Sequence, residues 1–110
     1  MKKKLEKDIL REICEWLFEK GFFFWRQNTI PVFDKGHFRA LPKYTPRGLP
    51  DILLLYDGHF IGLEVKVPNY WKRTDAQIEM KDKFIDNGGA YHLVTSLDEV
   101  KKIWPFSEVL

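Results

Sequence analysis

Cysteine is nearly absent from this chain. Cys14 is the only one in 110 residues, which excludes an intrachain disulfide framework and a thiolate metal cluster. No apolar run approaches the roughly 18 residues that a membrane-spanning helix needs. The start, MKKKLEKDIL, is basic but runs into an amphipathic pattern instead of the apolar core of a signal peptide. Histidine is scarce as well. His37, His59 and His92 lack any metal-ligand spacing and read as surface or strand residues. Excess charge of one sign is small, a net +2. A soluble intracellular protein with no membrane segment is the simplest expectation.

Apolar residues are plentiful at 45%, and charged residues reach 31%. The length suits one domain, residues 1–110, around a modest core. The charge is unevenly spread. Residues 26–48 carry Arg26, Lys35, Arg39, Lys43 and Arg47 against Asp34 alone, a local +4 that leaves −2 for the remainder. Phe33, Phe38 and Tyr44 lie among these cations. Such interleaving suits a phosphate backbone with bases to stack on, and it equally suits an ordinary solvated loop. Trp71, in VPNYWKR, reads either as a wedge against DNA or as cover for an apolar patch.

Residues 4–20 predict a helix closed by Gly21. The aromatic run over residues 22–30 predicts a strand. Pro31, Pro42, Pro46, Gly36 and Gly48 mark a long excursion, with a hairpin around DKGHF. DILLLY and HFIGLEVKV predict two strands joined by a turn at Asp57-Gly58. TDAQIEMKDKFIDN predicts a second helix, with Thr74 as its N-cap and Gly88-Gly89 as its stop. A strand over AYHLVTS and a short helix over LDEVKKIW complete a mixed α/β order.

Two acids interrupt the apolar strands. Strand alternation puts Glu64 and Lys66 on one face, opposite Leu63 and Val65. Asp51 lies about as far before the Asp57-Gly58 turn as Glu64 lies after it. The hairpin therefore brings both carboxyls to one end. Neighbouring carboxylates repel unless a cation sits between them, and carboxylate oxygens are what Mg²⁺ accepts. Alternatively, Asp51 is a turn residue after Pro50, and Glu64 with Lys66 is a solvated edge pair.

On the first helix, at about 100° per residue, Glu6 falls inside the arc of Leu5, Ile9, Leu10, Ile13, Trp16 and Leu17. Glu12 falls on its margin and Glu15 outside it. An inward carboxylate needs a partner, unless the first turn frays and Glu6 swings into solvent. Gln77, near the stripe of Ala76, Met80 and Phe84, either reaches toward the sheet or stays on the surface.

The succession EKDILREICEWL, FFFWRQNT, FRALPKYTPRGLPDI, GLEVK, DAQ and GGAYHLV resembles the VRR-NUC family, the virus-type replication and repair nucleases of the PD-(D/E)XK superfamily. Pro50-Asp51 matches the PD, and Glu64-Val65-Lys66 the (D/E)XK. The resemblance implies a restriction-endonuclease-like αβββαβ core, a mixed central sheet flanked by helices. It implies that Asp51, Glu64, the Val65 carbonyl and Glu6 hold Mg²⁺ or Mn²⁺. It makes Lys66 the residue that orients or deprotonates the attacking water, Gln77 a supporting amide, and Arg26 a phosphate contact beside Lys43 and Arg47. Thr74 stands where the family often has serine, and either residue caps a helix. The implied protein is a metal-dependent DNA endonuclease, structure-specific for junctions or flaps and homodimeric, in the cytoplasm of a bacterial or phage-infected cell. Two other readings use the same residues: a catalytically silent nucleic-acid-binding module, and a partner-binding protein whose acids are salt-bridged.

Overall fold

A computed structural model describes residues 4–27, 33–34, 37–38, 43–68 and 73–103. The expectations placed on residues 28–30 and on Lys35, Arg39, Trp71 and Trp104 lie outside these.

Helix α1 spans Glu6–Glu19 and buries Ile9, Leu10, Ile13 and Leu17, apolar positions at the 3–4-residue spacing of one helix face. Leu5 was expected on that face. Instead it is the N-cap, in extended conformation and exposed. The Asp8 carboxylate accepts from the Leu5 amide at 3.2 Å, so an acid caps this helix start.

Strand β1 is Phe23–Arg26, shorter than the aromatic run predicts. Strands β2 (Phe33–Asp34) and β3 (His37–Phe38) form the small hairpin expected around DKGHF. Strands β4 (Ile52–Tyr56) and β5 (His59–Val65) pair antiparallel across Asp57-Gly58, with Ile52 opposite Leu63. Helix α2 is Asp75–Asp86, strand β6 is Ala90–Val94, and helix α3 is Leu97–Lys102. The main sheet runs β1-β4-β5-β6. Its first three strands are antiparallel, while β6 lies parallel to β5, as a connection through a helix permits. This is the mixed α/β architecture that the sequence implies.

Alternation divides the sheet's side chains between two cores. Ile52, Leu54, Ile61, Leu63, Val65 and Val94 pack with the α1 stripe and Val100. Leu53 and Tyr91 pack with Met80 and Phe84 of α2 on the other face. Among the described residues no helix is long and apolar enough to cross a membrane.

Candidate active site

Asp51 precedes β4 by one residue, so the β4–β5 register carries it opposite Glu64. Three contacts fix it. The Gln27 amide donates to the Asp51 carbonyl at 2.8 Å. The Val65 amide donates to Asp51 Oδ2 at 2.7 Å. Behind it, Pro50 is fully buried against Gly62 of β5, where a β-carbon would come within 2.5 Å of the proline Cγ. Glycine inside a strand marks such a close approach, and here it seats the residue next to Asp51.

Glu64 is 4% exposed. Burial pushes its carboxyl up to about 8. The Asp51 charge and a hydrogen bond between the two carboxyls add to the rise, while Lys66 and Tyr91 oppose it. Lys66 Nζ lies 3.9 Å from Glu64 Oε1. Asp51, Glu64 and Lys66 are therefore brought together, with one lysine to offset two acids.

Glu64 lies on the α2 face of the sheet, and there the structure adds a residue that the sequence did not single out. The Tyr91 hydroxyl lies 3.4 Å from Glu64 Oε2 and 3.2 Å from the Gly48 carbonyl. The ring is 3% exposed, and burial, followed by the neighbouring acid, raises the hydroxyl's pKa. Gly48 has a φ of +78°, and a β-carbon there would meet the Ala76 carbonyl oxygen at 2.3 Å. The chain thus passes under the start of α2 only as glycine. A buried aromatic in AYHLV reads from sequence as core, and only the parallel pairing of β6 on β5 reveals where its hydroxyl goes.

Gln77 is buried and its side-chain oxygen is committed. Oε1 accepts from the Thr74 amide at 3.0 Å, while the Thr74 hydroxyl accepts from the Gln77 amide at 3.2 Å. The pair is a capping box, and it anchors the end of α2 beside Gly48.

Glu6 is not brought to the pair. It is exposed, and no three His, Cys, Asp or Glu residues gather as a metal cage among the described residues. Its angular phase faces the core, but as the first residue of α1 it has no preceding turn to enclose it. Glu12 instead pairs with Lys4 at 2.7 Å. Arg26, Lys43 and Arg47 are all exposed. Lys43 lies over the Tyr44 ring, 5.1 Å from its centroid, and Arg47 adjoins Gly48 on the approach to Asp51. Cys14 is partly buried, and burial raises its thiol pKa, away from the reactive thiolate.

Two solved structures align over most of the chain. One, described as a VRR_NUC domain, matches at 21% identity with a TM-score of 0.61, covering 89% of this chain and 91% of that one. The other, described as a VRR_NUC domain protein, matches at 19% identity with a TM-score of 0.60, covering 93% and 86%. The chain has the fold of a VRR-NUC domain. Neither the protein-family models nor the curated proteins include a match. Within the VRR-NUC fold, the order α1-β1-β4-β5-α2-β6 sets the PD and EVK segments on adjacent strands at one end of the sheet.

Proposed function

We propose that this VRR-NUC-like chain is a divalent-metal-dependent nuclease that hydrolyses phosphodiester bonds in DNA. The observation that carries the reading is the Asp51–Glu64 pair. Two carboxyls stand opposite each other across the hairpin, one of them buried, and the Lys66 ammonium lies 3.9 Å from Glu64. Burial and like charge hold Glu64 toward neutrality, and a bound dication is the partner that would favour both acids as anions. All the donors are oxygens, which suits Mg²⁺ or Mn²⁺.

In this reading Asp51, Glu64 and the Val65 carbonyl hold the cation. Glu6 joins them from the first turn of α1. Lys4 and Ile9, on either side of that turn, line a cavity with Val67 and Thr95, just past the ends of β5 and β6, which supports this reading. When bound, the cation neutralises phosphate charge and makes water more acidic. Lys66 orients the attacking water or takes its proton. Tyr91 holds Glu64 in place by hydrogen bonding. Gln77 fixes the start of α2 over Gly48. Arg26, Lys43 and Arg47 contact backbone phosphates, where charge matters more than sequence.

A homodimer would set two such sites across a junction, as two-fold symmetry favours, and cleavage would then depend on DNA structure. The proposed compartment is the cytoplasm of a bacterial or phage-infected cell. A panel of labelled duplex, flap, splayed-arm and four-way-junction DNA tests the reading, with Mg²⁺, Mn²⁺ or chelator. Cleavage in either metal and none in chelator supports it. Binding without cleavage under every condition leaves a silent DNA-binding module in its place.

A further inference from the structure

Strand β6 is an edge of the main sheet, and a groove of about 370 Å³ opens between it and α2. Lys81, Ile85, Tyr91 and His92 line it, with the glycines that follow α2, and no acid is among its described lining residues. Arg73 adjoins this cluster. Its charge acts on both Tyr91 and His92, and it immediately precedes Thr74, the N-cap of α2.

Two nitrogens here are unsatisfied. Arg73 Nε and His92 Nε2 are buried without a hydrogen-bond partner among the described residues. A buried polar nitrogen left unpaired is costly, and the Arg73 Nε–H, always a donor, points to a ligand that supplies an acceptor. The surroundings specify its charge. Burial lowers the His92 pKa, and the cations Lys81 and Arg73 lower it further. Lys81 and His92 thus line one groove, with the buried, unpaired Arg73 Nε near it, a setting that an anion would relieve.

The spacing favours an extended anion over a compact one. Arg73 precedes the N-cap of α2, and Lys81 lies about 9 Å along the helix from its first residue, Asp75, at 1.5 Å per residue. The cluster neighbours the acid pair through the backbone of the sheet. His92 pairs with Leu63, and Glu64 with Leu93, so the backbones of His92 and Glu64 are about 6 Å apart by strand spacing, although strand alternation turns the His92 side chain from the edge strand toward the opposite face from Glu64.

We propose that Arg73, Lys81 and His92 form a phosphodiester-binding subsite at the β6 edge, which holds the nucleic-acid backbone beside the scissile bond. Its place in the reaction rests on the nuclease reading, whereas its binding of phosphodiesters does not. The ligand is a run of backbone phosphates, gripped without regard to base.

The test is fluorescence anisotropy of a labelled DNA duplex in Ca²⁺, titrated against salt. Arg73→Gln and Lys81→Gln should each lower the slope of log K against log[salt] by about 0.9, and the double variant by about twice that. Arg73→Lys should keep the wild-type slope. Lys101→Gln and Lys102→Gln on α3 remove the same charge at a distance and serve as controls. Equal slopes for the Arg73/Lys81 and Lys101/Lys102 double variants overturn the proposal. If Arg73→Gln fails to fold, Lys81→Gln against Lys102→Gln decides it. Inorganic phosphate at constant ionic strength should displace little duplex. Full displacement at millimolar phosphate marks a free-anion pocket and overturns the backbone assignment. A wild-type protein that cuts nothing, but shows the slope losses, removes the nuclease reading and keeps the subsite.

Discussion

Gly62 lies beneath Pro50 across the hairpin, so closely that a β-carbon on Gly62 would come within 2.5 Å of the proline Cγ and 3.1 Å of Phe84. The glycine of one strand thus seats the residue that precedes Asp51 on the other. Gly62→Ala must push Pro50 or Phe84 aside. Such overpacking costs roughly 1–3 kcal/mol, and the displaced Pro50 carries Asp51 with it. Urea denaturation should show the stability loss, and cleavage should fall further than stability alone explains. Wild-type stability and activity in Gly62→Ala would show that the Pro50 contact does not position Asp51.

Tyr91 offers a cleaner test of the carboxyl's environment. Tyr91→Phe keeps the ring among Phe84 and Met80 and deletes the hydroxyl between Gly48 and Glu64. Loss of a buried hydrogen-bond partner costs about 1–3 kcal/mol. Cleavage by the variant should need more Mn²⁺ for half-maximal rate and should largely recover when the ion is raised. An unchanged metal requirement would mean that Tyr91 is only a core residue.

The metal-free protein should respond to pH through Glu64. Its carboxyl titrates at about 8 when folded, against an ordinary value of 4.5. Between these values the folded state holds the proton and the unfolded state has lost it, so unfolding free energy falls as pH rises. The stability contribution is complete below about 4.5 and gone above about 8. Melting temperatures in chelator should therefore decline across that window. Glu64→Gln should flatten the decline, and divalent metal should oppose it at the alkaline end. A wild-type and Glu64→Gln pair with parallel pH profiles would contradict the buried, proton-holding carboxyl.

The hairpin, the opposed acids and the Thr74 cap are local. Strand alternation, a two-residue turn and a capping spacing specify them within a few residues, so they were legible in the sequence. The hydroxyl of Tyr91 was not, because it depends on the parallel β5–β6 pairing across 27 residues from Glu64. Arg73 is illegible in the sequence for the same reason: the groups that its charge acts on lie on β6, far from it along the chain. Helical phase predicts an inward Glu6, whereas the residue is exposed; phase carries no information on how far the core extends past the end of a helix. Leu5 failed on the same count, as the N-cap outside the buried stripe.

Helix α1 supplies two acids that a comparison can separate. Glu12 is already paired with Lys4, while Glu6 is exposed in the first turn. Glu6→Gln should reduce single-turnover cleavage by at least about tenfold, the effect of roughly 1.4 kcal/mol at the barrier. Glu12→Gln should stay near wild type. The reverse order would assign the third ligand to Glu12 and discard Glu6.

The central claim is that Asp51 and Glu64 together hold a catalytic cation. Its most direct test is the single-turnover cleavage rate of labelled DNA in Mg²⁺ and Mn²⁺ for wild type, Asp51→Asn and Glu64→Gln, with folding checked by circular dichroism. Each substitution replaces a charged ligand with a near-isosteric amide, and metal catalysis contributes several kcal/mol. Wild type should cut only with metal, and each folded variant should lose at least about a hundredfold. Metal-dependent cleavage at the wild-type rate by either folded variant would contradict the account.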